Sequence, residues 1–170
     1  AQKHNFDYAI TIDADGQHFA SDLPLFFDAI EKDYGAMIVG SRFLKQENMP
    51  AGNTFANKFS NFWFTVQTGK KLADTQTGYR AYPLFKMGKM RSFSKRYESE
   101  LEYLQRIAWR NIKIVSIPIQ VYYAPEGQRV SHFRKGRDFT RISVLNTLMC
   151  FVAILYGYPS MFLRKLFKSK

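Results

Sequence analysis

Two aspartates that lie two positions apart are the side chains of this 170-residue chain best suited to chemistry. Asp13 and Asp15 follow a short apolar run, and the bend at Gly16 lets both carboxylates point into one crevice. Magnesium and manganese take one or two carboxylates as hard oxygen ligands and complete their coordination with water and substrate phosphates. The pair therefore predicts a divalent-cation site for a phosphorylated substrate, to which Gln17 could add a carbonyl oxygen. The alternative is a plain Asx turn.

Two further segments carry groups that could bind the same ligand. Arg42 follows a second apolar run, and its guanidinium could hold two oxygens of a diphosphate, although a solvated arginine is the alternative. Downstream, Asp74 and Gln76 could bind sugar hydroxyls, and Gly78 would let the backbone approach a ligand closely. A structural turn is the alternative for this segment.

The stretch over 125–137 is strongly basic and includes Arg129, Ser131 and His132. It predicts an anionic partner, with a solvated surface loop as the alternative. No histidine has a second ligand at the spacing of a zinc site. The motifs of P-loop, α/β-hydrolase and dinucleotide-binding proteins are absent, and the glycine position does not fit an EF-hand.

Hydrophobic periodicity predicts the elements that must position these groups. A strand over 8–12, a helix capped by Ser21 and a strand over 36–39 form a strand-helix-strand unit, which is typical of parallel sheets. If both strands are parallel, Asp13, Asp15 and Arg42 lie on one sheet edge. The remaining pattern predicts a helix over 55–66 with Phe55, Phe59, Phe62 and Val66 on one stripe, a polar loop over 74–80, a helix over 98–110, an extended edge or bulged segment over 112–123 interrupted by Pro118, and a helix over 138–156.

Composition limits the possible classes of protein. The chain is 46% hydrophobic and carries a net charge of +11, so we expect one folded domain that binds anionic partners. The single cysteine, Cys150, excludes an intrachain disulfide and favours a reducing compartment.

The first residues do not look like a signal peptide, and we expect a fragment of a longer protein. The apolar run over 148–158 is too short to span a membrane and is broken by Pro159, so a buried or interfacial helix with a cationic, amphipathic tail is expected.

Four motifs, taken in their order and spacing, resemble the family 2 glycosyltransferases, and among them the dolichyl-phosphate mannosyltransferase-like, polyprenyl-phosphate sugar transferases. The resemblance implies an α/β nucleotide-diphospho-sugar transferase sheet (GT-A, Rossmann-like) with flanking helices, here lacking its N-terminal strands. It implies the later part of a catalytic domain over 1–143 and an apolar and basic helical segment over 144–170. The motifs are residues 10–18, 39–42, 74–80 and 131–133.

The same resemblance assigns roles to particular residues. Asp13, Asp15 and Gln17 would hold the cation, with Asp15 also counted as catalytic, and Arg42 would steady the donor diphosphate. The loop with Arg129, Ser131 and His132 would close over the donor and acceptor phosphates, while Lys58 lies near the position of the family's acceptor-phosphate arginine. A lipid phosphate needs no general base. A sugar hydroxyl would need one, and Glu98 or Glu100 are the candidates, with ordinary helix-start acids as the alternative.

These expectations combine into one predicted activity. The chain would belong to an inverting glycosyltransferase that uses Mg²⁺ or Mn²⁺ and moves a sugar from a GDP- or UDP-linked donor to a polyprenyl or dolichyl phosphate, or to a glycan. It would act at the cytoplasmic face of a membrane and would not bind nucleic acid. The alternatives are a basic nucleic-acid-binding module and a membrane-docking module without catalysis.

Overall fold

A computed structural model describes residues 4–42, 51–90, 92, 94, 97–123 and 135–168. The described chain is an α/β structure in which helices flank a mixed sheet of four strands. Its elements, in chain order, are β1 (Tyr8–Thr11), a 3₁₀ turn (Ala20–Asp22), α1 (Leu23–Lys32), β2 (Met37–Ser41), α2 (Ala51–Thr68), β3 (Arg80–Pro83), α3 (Leu84–Met87), α4 (Tyr97–Trp109), β4 (Ile114–Pro118), α5 (Lys135–Val152), a π-helical turn (Ala153–Gly157) and α6 (Tyr158–Lys168).

The strand order β1-β3-β2-β4 decides where the chain places its polar turns. β3 is antiparallel to both β1 and β2, whereas β2 and β4 are parallel. β1 and β2 therefore run in the same direction, as predicted, but they are not neighbours because β3 lies between them. Arg80 at the start of β3 pairs with Thr11 at the end of β1 and with Val39 in β2. The turns after β1 and β2 and the loop before β3 consequently meet at one sheet edge.

The sheet is covered on both faces. Ile38 in β2 packs with Phe26 of α1 on one face, where Phe26 also stacks on Tyr79 with ring centroids 4.2 Å apart. Met37 in the same strand packs on the other face with Leu104 of α4 and with α2. Because successive strand side chains point to opposite faces, one short apolar strand can serve both cores. β4 lies at the sheet edge and pairs with β2, which confirms the edge position predicted from Pro118.

One local prediction about a helix is wrong. Ser21 does not cap α1. It lies within the 3₁₀ turn, and the N-cap residue is Asp22, whose carboxylate instead accepts a hydrogen bond from the Gln120 backbone at 2.7 Å. On α2, the predicted stripe is present and is largely the outer face of the helix: Phe55 is 68% and Phe62 59% exposed. The buried face of α2 is mixed instead, and consists of Asn57, Ser60, Phe64, Gln67 and Thr68.

The C-terminal helices also differ from the prediction. The helix expected over 138–156 begins at Lys135 and continues through the π turn into α6, so Pro159 does not break it. Pro159 falls in the first turn of α6, where the missing N–H is tolerated. Among the described residues, Ile142–Phe167 is long and apolar enough by length and composition to cross a membrane, contrary to the expectation of a shorter run. Met149 and Ala153 pack on Trp109 at the end of α4.

Candidate active site

The end of β1 and the turn after it are held against the loop before β3 by contacts between side chains and backbone. Thr11 Oγ1 donates a hydrogen bond of 2.7 Å to the Gly78 carbonyl. Gly78 lies so close to the turn after β1 that a Cβ on Gly78 would overlap the carboxylate of Asp13. The absence of a side chain at Gly78 therefore permits a close approach to a side chain of the protein itself, and the predicted approach of a ligand stays a prediction.

Asp13 is a fixed carboxylate with one open side. Its Oδ2 lies 3.3 Å from His18 Nε2, while 44% of its side chain is exposed. The hydrogen bond from His18 is the main cause that lowers the pKa of Asp13. The Gly78 backbone hydrogen bond and the charges of His18 and Arg80 lower it further, against the effect of burial. Asp13 is therefore a well-held anion at the sheet edge.

Asp15 forms the Asx turn that the sequence left open as the alternative, and its role as a cation ligand stays a prediction. Its Oδ1 accepts a hydrogen bond of 3.0 Å from the Gln17 backbone N–H, which makes an Asx turn, and Gly16 has a φ of +77°. The Asp15 carboxylate is exposed beside that turn, and Gln17 is half-buried.

The chemistry of this donor set suits a cation that keeps water and substrate oxygens among its ligands. Within the described part of the chain, no group of three His, Cys, Asp or Glu side chains could hold a metal ion. Asp13 and Asp15 offer two hard carboxylates at an open edge, which is how proteins bind Mg²⁺ together with substrate phosphates rather than in a closed cage. The residues present therefore fit a cation of this kind, and do not fit a structural zinc.

Arg42 forms an ion pair with Asp74 at the same edge. Its Nε and Nη2 donate to the two carboxylate oxygens at 2.7 and 2.9 Å, and its backbone N–H donates to Oδ2 at 3.2 Å. Asp74 is fully buried, and the carboxylate raises the pKa of Arg42 although burial opposes this effect. The structure thus shows the two predicted donor-binding residues bound to each other, which fixes the turn after β2 to the loop before β3.

The loop over 74–79 is held by polar contacts along its length, and β3 starts at Arg80. The Gln76 N–H donates to Asp74 Oδ1 at 3.1 Å, and the Gln76 side chain is exposed and donates to Ala56 at 3.3 Å. The Thr75 hydroxyl hydrogen-bonds the Ser60 hydroxyl at 2.8 Å. These hydrogen bonds fix the conformation of the loop beside the turn after β2.

Arg80 is a fully buried guanidinium that links this loop to α4. Its nitrogens donate to the carbonyls of Thr75, Thr77 and Glu100 at 2.8, 2.7 and 2.9 Å. No ion pair to Arg80 occurs among the described residues, so its charge acts at longer range on Asp13 and Glu100.

Glu100 has the environment expected of a carboxyl that can take up a proton. Burial is the main cause that raises its pKa, and the nearby Asp13 charge raises it further while Arg80 lowers it.

The predicted alternative to Glu100, Glu98, lies on α4, but its side chain is outside the described residues. Lys58 is exposed on α2. Arg129, Ser131 and His132 lie outside the described residues, so the role of the basic loop stays a prediction.

Sequence reasoning missed two residues of this site. His18 was judged only by its lack of a metal-ligand partner, whereas its side chain is 5% exposed and faces Asp13. The sequence did contain a signal, because the bend at Gly16 can bring the side chain of His18 close to an aspartate that precedes the bend. Arg80 was included only as the end of a motif, and its complete burial depends on α4, which no local pattern near Arg80 reveals.

Comparisons with curated proteins show which proteins this chain resembles. The UDP-N-acetylglucosamine–dolichyl-phosphate N-acetylglucosaminyltransferase of Methanococcus voltae is 31% identical over 122 residues, which are 69% of this chain and 49% of that protein. The undecaprenyl-phosphate mannosyltransferase of Micrococcus luteus is 26% identical over 126 residues, which are 69% of this chain and 50% of that protein. No protein-family model matches the chain. The chain thus spans about half the length of the curated relatives it matches.

Proposed function

We propose that this chain, which is related to the polyprenyl-phosphate sugar transferases, is part of a glycosyltransferase domain that binds a nucleotide-sugar donor at the edge formed by β1, β2 and β3. The observation that carries the proposal is that the well-held Asp13 lies near enough to the Arg42–Asp74 ion pair for its charge to raise the pKa of Arg42. Asp15 is exposed two residues further along the turn after β1. The mixed sheet with flanking helices is consistent with a GT-A arrangement.

The donor would be GDP- or UDP-linked, with its diphosphate at the turn that holds Asp13 and Asp15. These residues, with the Gln17 side chain, would hold Mg²⁺ or Mn²⁺, which when bound supplies positive charge for the diphosphate leaving group. Arg42 stays a predicted diphosphate ligand, while its present contacts with Asp74 orient the loop over 74–79. Gln76 is the exposed group of this loop and would hydrogen-bond the sugar.

The transfer would be an inverting displacement. An acceptor oxygen attacks the anomeric carbon and forms the new bond, while the bond to the nucleoside diphosphate breaks and its electron pair leaves with the diphosphate. A lipid-phosphate acceptor is already anionic, so no residue needs to remove a proton. A glycan hydroxyl would require a base, and Glu100 has the raised pKa that suits this role.

Manganese-dependent binding of a panel of GDP- and UDP-sugars tests this proposal. We expect the wild-type chain to bind at least one of them, and Asp15→Ala to lose that binding. Asp28→Ala is the matched control, because Asp28 is an exposed carboxylate on α1. Equal binding by wild type and Asp15→Ala, or no binding by either, would contradict the proposed donor site.

We also propose that the helices over 142–167 attach the domain to a membrane that contains the acceptor. Their outer face forms one apolar ridge at helical spacing, made of Val144, Leu148, Phe151, Leu155, Phe162 and Leu166, all of them exposed. Arg164 and Lys165 are exposed on the same C-terminal helix. An apolar ridge with adjacent cations fits an interface that contains anionic lipid headgroups. The cytoplasmic face stays a prediction from the single cysteine.

Flotation with vesicles that contain anionic lipid tests this attachment. Phe162→Asp should release the protein from the vesicles, because it places a charge within the apolar ridge. Phe27→Asp is the matched control, since Phe27 is 50% exposed on α1 and Phe162 is 64% exposed on α6. Equal flotation of both variants and wild type would exclude the ridge as the attachment surface.

A further inference from the structure

His18 occupies a position that packing alone does not explain. Its backbone forms an isolated antiparallel bridge with Val121, and the neighbouring Gln17 carbonyl accepts a hydrogen bond of 2.8 Å from Tyr122. These contacts hold the imidazole under the turn after β1, with its ring 5.6 Å from that of Tyr79. The side chain is 5% exposed, so its ring has little freedom to turn elsewhere.

The two ring nitrogens of His18 have different surroundings. Nε2 lies 3.3 Å from Asp13 Oδ2, and because an ionised carboxylate only accepts hydrogen bonds, Nε2 must carry a proton. Nδ1 is buried and has no hydrogen-bond partner among the described residues. A buried polar atom without a partner is unfavourable for the fold. An apolar ring would avoid this cost, so the benefit of a histidine here lies at Nε2, on Asp13.

We propose that His18 is the positioning residue of the cation site. Its Nε2–H holds Oδ2 of Asp13 while Oδ1 lies against Gly78, so the orientation of this carboxylate is fixed although 44% of the side chain is exposed. A carboxylate or imidazole ligand whose orientation is fixed by a second group binds a cation more tightly than one that rotates freely. This inference rests on the proposed function, since it concerns the cation that accompanies the donor.

The test measures Mn²⁺ affinity directly, by the electron paramagnetic resonance signal of free Mn²⁺, with GDP and with UDP present. Loss of an outer-shell partner of this kind lowers metal affinity by about 10- to 100-fold, and we expect this loss for His18→Phe, which keeps a ring and removes the donor. His18→Gln retains an N–H donor and should recover most of the affinity. His4→Phe is the control, because His4 is exposed and lies before β1.

The possible outcomes separate this inference from the proposed function. Binding by wild type that is lost in Asp15→Ala supports the proposed site. On that background, wild-type affinity in His18→Phe, or equal weakening in His18→Phe and His18→Gln, would overturn the positioning role. Failure of wild type itself to bind Mn²⁺ with either nucleotide would contradict the proposed function and this inference with it. Thermal unfolding of each variant, measured in parallel, shows whether a loss of affinity accompanies a loss of folding.

Discussion

At the scale of single residues, Gly78 connects the fold to the site. A Cβ at this position would overlap the Asp13 carboxylate, and no backbone conformation restricted to glycine is involved. Because the obstructing atoms are the end of a partly exposed side chain, Gly78→Ala should push Asp13 outward without unfolding the domain. We expect Mn²⁺ affinity, measured with a nucleoside diphosphate present, to fall at least about tenfold, while the thermal midpoint stays near that of wild type.

Ala51→Gly, at the start of α2, is the control for Gly78→Ala, because it changes one methyl group away from Asp13 and should leave the Mn²⁺ affinity unchanged. A Gly78→Ala variant with unchanged Mn²⁺ affinity would show that the position of Asp13 does not matter for cation binding. A variant that unfolds would show instead that Asp13 cannot move, which is the opposite of what its exposure indicates.

Glu100 should make stability depend on pH in a defined direction. Burial raises its pKa in the folded state, so folding favours the protonated form. Its contribution is therefore fully present below the unfolded pKa of about 4.3 and is lost as pH rises through the raised folded value. Glu100→Gln should raise the thermal midpoint at pH 7, and the gain should shrink as pH falls toward 4. The exposed Glu31→Gln on α1 should show no such trend, and a gain that is independent of pH would refute this account.

Residue types indicated which side chains follow the strands better than they indicated how these side chains are connected. Asp13, Asp15, Arg42 and Asp74 were all expected at one place, because strand ends and turn residues are local signals. The Arg42–Asp74 ion pair was not expected, since it joins residues 32 positions apart. Its existence depends on β3 entering the sheet between β1 and β2.

At the scale of elements, Arg80 joins the loop before β3 to the first turns of α4. Its planar guanidinium reaches three carbonyls that lie in different directions, which a single ammonium group cannot match. Arg80→Lys keeps the charge but leaves buried acceptors unpaired, so we expect a loss of roughly 2–4 kcal/mol in the free energy of unfolding in urea. Arg106→Lys should lose less, because 18% of the Arg106 side chain is exposed and an ammonium group can still donate to Glu102. Equal losses would argue against the three-carbonyl explanation.

Helices and strands differed in how far the sequence predicted them. α1, α4 and β2 carry clear apolar periodicity and were predicted within a few residues of their bounds. β3 has four residues and ends in proline, so it has no pattern of its own and forms only because β1 and β2 offer edges on both sides. The sequence pattern did not reveal the inner face of α2, because that face is partly polar. Gln67 there donates to Asn146 and accepts from Gln105, so polar groups are satisfied inside while aromatic rings stay outside.

At the scale of the whole molecule, the packing of the C-terminal helices decides how they would meet a bilayer. At about 1.5 Å per residue, the 26 residues of Ile142–Phe167 are long enough for a bilayer core of about 30 Å. Their inner face, however, is attached to the domain. A Cβ on Gly157 would lie 2.6 Å from Trp109, and Asn111 donates to the Met161 carbonyl at 2.9 Å. These contacts hold the middle of the span against the end of α4, so we expect the helices to lie on a membrane, because crossing it would require the contacts to break.

Depth-dependent quenching distinguishes these two arrangements. On a Cys150→Ser background, single cysteines at Leu148, Leu155 and Phe162 would carry a fluorophore on the exposed ridge. A helix lying in the interface keeps all three labels at one shallow depth, so a quencher near the headgroups should act equally on each. A spanning helix would place the label at 155 deepest, where a quencher at the end of the lipid chain would act most strongly. A label at the exposed Tyr34 should stay in water in either case. We expect equal, shallow quenching, because crossing would require the buried contacts of Trp109, Gly157 and Asn111 to be given up at once.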